Sequence, residues 1–254
     1  VLSAIALFAG CAGPDPAPRA GSSPPQGGGP LAELARAFEA EPTAEGRARA
    51  VARTVHGKLG LERTMTCIEI ATLLAGAGVG SVVRTPHHAV LQVEGEGGPV
   101  FLDPADPGAI LTRERLERAH PWPKNERARR LYGRPIEDWR ADLYANDAAR
   151  AIEEGRPLDA LRLARVAAEI EPDLPEALVN LAVALIALGR PGEAEPVLAR
   201  AAEVLPLDPA ILYNRAVAAA TAGRRNEALR LYDETLRVDP GNERARANRA
   251  ALLE

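Results

Sequence analysis

The sequence holds 254 residues, 46% of them apolar and 26% charged, with a formal net charge of −4. That balance excludes wholesale disorder and removes the electrostatic case for a dedicated nucleic-acid binder. Aromatics at 4% favour helix over an all-β sandwich, and two cysteines exclude a disulfide-dense scaffold and the four-ligand structural zinc patterns.

Residues Val1 to Phe8 are apolar or small and run into Phe8-Ala9-Gly10-Cys11. A short apolar segment suits the translocon, and small side chains suit a peptidase that reads extended backbone. The order resembles the bacterial lipoprotein signal, which implies a lipid on Cys11 and a signal segment over 1–11. Most of the segment 12–30 is Gly, Pro or Ser, with no Leu, Ile, Val or aromatic. Such a segment cannot bury enough surface to offset its ordering entropy, so a flexible tether is expected. Ala12 and Gly13 follow the cysteine where an Asp would signal retention. In the lipoprotein family this implies an outer-membrane protein facing the periplasm. No apolar run approaches the roughly 18 residues of a membrane span, so contact with the membrane rests on that anchor.

Residues 31–60 read as amphipathic helix, with Leu31, Leu34, Ala35 and Phe38 followed by Ala48 through Val55. Thr66 and Glu69 form a capping-box pair ahead of the apolar run IEIATLLAGAG, which makes Thr66 the expected N-cap and puts Cys67 in the first turn. A thiol there faces unpaired N–H groups and the positive end of the helix dipole, both of which favour thiolate. SVVRT, AVLQV and PVFLD then read as three strands. His87 and His88 open the second with side chains on opposite faces, and Asp103 closes the third.

The stretches TCIEIATLLAGAGVG, HHAVLQV and FLDPADPGAILTRERL resemble the transglutaminase-like cysteine fold, related to papain. The closest branch couples that core to C-terminal helical repeats. The resemblance implies an α+β domain over 31–134 in which Cys67 attacks an amide or ester carbonyl. His88 would take the thiol proton and later protonate the leaving group, and Asp103 would orient the imidazole. The competing reading is a structural domain in which Cys67 is a buried small hydrophobe. His87 and His88 are adjacent and His120 is distant in sequence, so no single element supplies three metal ligands. Neither metal nor cofactor is expected. The basic stretch from Arg113 to Arg134 reads as a solvated linker helix broken in two by Pro121-Trp122-Pro123, with Trp139 docking the linker onto the first unit of a C-terminal repeat.

From 135 to 254 the sequence repeats. Pro172, Pro206 and Pro240 are 34 residues apart, as are Ala160, Ala194 and Ala228, and Gly155, Gly189 and Gly223. Leu178, Leu181 and Leu185 line one face of a first helix, and Ala194 marks a close approach to a second. The period and these residues resemble the tetratricopeptide repeat, a helix-turn-helix unit stacked into an all-α solenoid. Three units are expected at about 141–174, 175–208 and 209–242, with a capping helix at 243–254. Asn146, Asn180, Asn214 and Asn248 hold the same interval. The resemblance implies that they face a concave groove, where an amide can pair with the backbone or terminal carboxylate of a peptide or protein ligand. An intramolecular packing role is equally open. The whole chain therefore reads as a transglutaminase-like α+β domain followed by a repeat solenoid. It is either a cysteine hydrolase or acyl transferase with a protein-binding domain, or a non-catalytic adaptor.

Overall fold

The computed structural model describes residues 38–54, 71, 74–75, 79–96, 98–103, 110–133, 135–136 and 138–254. Among them the elements are α1 (Ala44–Thr54), β1 (Ser81–Thr85), β2 (His88–Val93), β3 (Val100–Leu102), β4 (Ile110–Leu111), α2 (Arg113–Ala119) and α3 (Glu126–Leu131). There follow α4 (Arg140–Glu153), α5 (Pro157–Ile170), α6 (Pro175–Ala187), α7 (Pro191–Val204), α8 (Pro209–Thr221), α9 (Arg225–Val238) and α10 (Glu243–Leu253). They fall into two compact units. One holds the described residues up to Lys124 together with Arg129–Leu143, and the other holds Asn125–Ala128 with Tyr144–Glu254. No helix among the described residues is long and apolar enough to cross a membrane.

The first unit is a small antiparallel sheet in the order β1-β2-β3-β4, flanked by helices. Val82 pairs with Leu91, Leu91 with Leu102, and Leu102 with Ile110, so these side chains share one face. There Phe38, Ala48, Val51 and Leu74 bury Leu91, Val93 and Leu102, while Ala71 packs with Val82 and Ala89. Strand residues alternate between faces. Val83, Val90 and Phe101 therefore point the other way, where Leu116 of α2 covers them. Following chain pairs with the outer edge of β1: Gly133 N–H donates to the Arg84 carbonyl and Ile136 N–H to that of Val82. The three expected strands are present. β4 is additional, being too short to show a period.

His87 departs from the expected strand. β2 begins at His88, and His87 sits in the two-residue turn after Pro86 with φ 60°. A proline ring locks its own φ at about −65°, so the positive φ of the turn falls on His87, a position that glycine or asparagine usually fills. Trp139 lies directly before α4, its carbonyl accepting from the Leu143 N–H at 3.2 Å. It packs with Ala71, Val82 and Ala89 on the sheet, beside Ile136 and Leu143, and so belongs to the first unit.

Arg84 is 3% exposed on β1, and its guanidinium meets Asp142 in two parallel bonds, Nε to Oδ1 at 2.7 Å and Nη2 to Oδ2 at 2.6 Å. Two such bonds satisfy a planar fork in a way that a single contact would not.

The second unit stacks helices in antiparallel pairs, α5 on α6, α6 on α7, α7 on α8, α8 on α9 and α9 on α10, with α6 also meeting α8. The close approaches are made by small residues in register. Ala160, Ala194 and Ala228 are fully buried, as are Ala148, Ala182 and Ala216. Each first helix ends in the same way. Gly155, Gly189 and Gly223 have φ of 71°, 74° and 78°. Their N–H groups donate to Ile152, Ile186 and Ala220, and the next residue's N–H reaches Ala151, Leu185 and Ala219. This paired back-bonding is a Schellman corner, which needs left-handed backbone and so favours glycine. A proline opens α5, α6, α7 and α8, where its missing N–H costs nothing.

Asp142→Ala should leave the Arg84 charge buried without its carboxylate and lower stability by about 3–5 kcal/mol. Urea unfolding should show an earlier midpoint, and joint replacement as Arg84→Met with Asp142→Leu should recover most of the loss.

Candidate functional site

Three side chains meet on the sheet face covered by α2. His88 opens β2 and shares that face with Val90, and Asp103 follows β3 in register with Phe101. His88 Nε2 and Asp103 Oδ1 are 2.8 Å apart, with both side chains mostly buried. The structure thus brings His88 and Asp103 together. Cys67, like Cys11, lies outside the described residues. Ala71 and Leu74, further along the apolar run that Cys67 opens, pack on the opposite face with Val82, Ala89 and Leu91.

The third side chain is His120, which stands far from the other two in sequence and was not expected among them. Thr112 caps α2, its Oγ1 accepting from the Arg115 N–H at 3.3 Å, and Leu116 seats the helix on the sheet. Pro121 disfavours helical backbone at the residue before it, so α2 ends with His120 as C-cap. That end delivers the ring to His88, with centroids 5.0 Å apart and planes 21° from parallel. Potential ligand atoms of His88, Asp103 and His120 all lie within 4.8 Å of one another. Burial lowers the His120 pKa, the neighbouring His88 lowers it further, and Asp103 partly opposes both. The only sequence signal for this meeting is the Thr112 cap followed by a short helix stopped by proline.

In the repeat unit the asparagines sit deep. Asn180 is 7% exposed, and its Nδ2 donates to the Ala145 carbonyl of α4 at 2.8 Å, joining two first helices. Asn214 is 3% exposed and donates to the Ala210 carbonyl one turn back in its own helix at 2.9 Å. Asn248 donates to the Tyr213 and Tyr232 hydroxyls at 3.0 and 3.3 Å. Burial holds the Tyr232 phenol up to about 12 against the opposing Asn248 bond. Asn146 is half-buried. The amides of Asn180, Asn214 and Asn248 thus bond to other groups of the stack.

Residues 151–218 match the tetratricopeptide repeat family model. Comparison with curated proteins gives no match. Among solved structures, the first such domain of human RPAP3 is 18% identical, with a TM-score of 0.43 over 45% of this chain and 90% of that one. The second such domain of human RPAP3, solved in complex with an HSP70 peptide, is 19% identical, with a TM-score of 0.42 over 45% of this chain and 96% of that one. MamA is 19% identical, with a TM-score of 0.41 over 44% of this chain and 66% of that one. The family match and the thrice-repeated glycine corner together define the C-terminal unit as a tetratricopeptide-like helical solenoid.

A histidine whose folded pKa lies below its unfolded value takes up fewer protons than the unfolded chain as pH drops, so the fold loses stability as pH falls below 6.5. His120→Gln should remove its share of that slope. Midpoints of urea unfolding between pH 8 and pH 5 would show the variant flatter than the natural chain.

Proposed function

We propose that the protein is a repeat adaptor that binds a peptide or protein ligand through its C-terminal solenoid, while the sheet unit is structural. The observation that carries this reading is the tetratricopeptide match over 151–218 on a stack of paired helices. Solenoids of this kind bury a continuous core between neighbouring units and leave an extended surface for a partner. In this reading Cys67 is an ordinary thiol. The full chain should bind members of an array of extended peptides saturably, and Cys67→Ser should leave that binding unchanged. Cys67 should alkylate no faster than a free thiol near pH 7, whether or not His88 is replaced by Ala. Absence of saturable binding to any peptide on the array would count against the adaptor.

One observation favours a second reading, a transglutaminase-like cysteine hydrolase or acyl transferase. The Nε2-to-Asp103 bond orients the His88 ring, as a catalytic base requires. A Cys67 thiol titrating well below the roughly 8.5 of free cysteine, with alkylation slowed by His88→Ala, would establish this reading in place of the first.

We further propose that the chain works in the bacterial envelope, anchored through lipidated Cys11 and held off the bilayer by the Gly- and Pro-rich segment over 12–30. One myristoyl-sized chain binds membranes only marginally, whereas the several acyl chains of a lipoprotein anchor hold firmly. Cys11→Ser should move the protein from the membrane fraction to the soluble fraction, or leave it uncleaved. Equal membrane association of both forms would exclude the anchor.

A further inference from the structure

We propose that His88, Asp103 and His120 bind one divalent first-row transition-metal ion, of which Zn2+ is the best fit. Three separate elements deliver these residues to one spot: the start of β2, the end of β3 and the C-terminus of α2. Two imidazoles and one carboxylate form a donor set suited to such ions. Ions of this class sit about 2.0–2.2 Å from each nitrogen or oxygen, which sets ligand atoms of one shell roughly 3–4 Å apart. Here the ligand atoms lie within 4.8 Å of one another, and His88 Nε2 and Asp103 Oδ1 stand 2.8 Å apart. Closing the shell requires side-chain rotation that moves these atoms by less than about 2 Å.

The site is sheltered without being sealed. His88 and Asp103 expose 15% and 17% of their side chains, which leaves a side open for water as a further ligand. The two rings stack with centroids 5.0 Å apart and planes 21° from parallel, so both must turn for edge nitrogens of the two to face one ion. The inference does not depend on the adaptor reading, and it competes with the hydrolase reading. An ion held by His88 Nε2 fixes the remaining proton on Nδ1 and removes the base that a thiol would need.

The test uses the full chain, stripped with a chelator and titrated with Co2+, whose visible absorption reports its ligand shell. One equivalent should bind, and Zn2+ should displace it. His120→Ala and Asp103→Asn should each weaken binding by about 10-fold or more, while His87→Ala should leave it unchanged. In parallel, Zn2+ should raise the Tm of the natural chain and of His87→Ala but not of Asp103→Asn, which preserves the side-chain shape if His120→Ala folds poorly. No saturable uptake of one equivalent, or uptake that survives both His120→Ala and Asp103→Asn, would overturn the proposal. Alkylation of Cys67 in metal-free and Zn2+-loaded protein separates this result from the hydrolase question.

Discussion

A helix that must reverse direction leaves the carbonyls of its last turn without partners, and the repeat unit depends on how that deficit is met. At Gly155, Gly189 and Gly223 the chain passes through left-handed backbone, and two N–H groups fold back onto carbonyls of the preceding turn. The corner fixes the angle at which the second helix departs, and the buried alanines at 160, 194 and 228 then let it lie close. Neither device suffices alone. A corner without small residues would aim the helix at a gap it could not enter. Small residues without the corner would have nothing to bring them together. Arginines just after the glycines, at 156, 190 and 224, pair with Asp159, Glu193 and Glu227 on the surface, where such bonds contribute little.

The sheet unit follows a different constraint, the strict alternation of strand side chains. One face collects Leu91, Leu102 and Val82 against the helices, and the other collects Val90, Phe101 and the polar trio. Pairing Leu91 with Leu102 fixes the register between β2 and β3. That register also decides that His88 and Asp103 share a face. A slip of one residue would separate them and expose half the core at once. The strained turn at His87 sits directly before this register, so the hairpin has little freedom to move His88 away from its partner.

Much of this is legible in the sequence, for reasons that differ by element. The repeat declares itself because glycine, alanine and proline each recur at one fixed interval and each has one physical job. The strands SVVRT, AVLQV and PVFLD are legible as short apolar, β-branched runs, and the pairing of His88 with Asp103 is what the resemblance to the transglutaminase-like fold implies. His120 is illegible because its position depends on β4, which has two residues and no period, and on the path of α2 across the sheet. The asparagines show another limit. Their spacing names the helical face they occupy, but depth depends on the neighbouring helices, and at Asn180 the nearest acceptor is a carbonyl of α4. Trp139 packs on the sheet cluster together with Leu143 of α4, because an aromatic in a linker announces burial without saying against what.

Each glycine corner is self-contained, since every hydrogen bond that closes it spans five residues or fewer. A Cβ at Gly155, Gly189 or Gly223 would meet nothing within 4 Å, so the requirement there is purely one of backbone conformation and not of fit to a neighbour. The corner therefore carries no information specific to its place in the stack. A gene that duplicated or lost one repeat unit would reproduce an intact corner at the new junction. The array can lengthen or shorten in whole units during evolution, and adaptation is then confined to the helix faces that meet across the join.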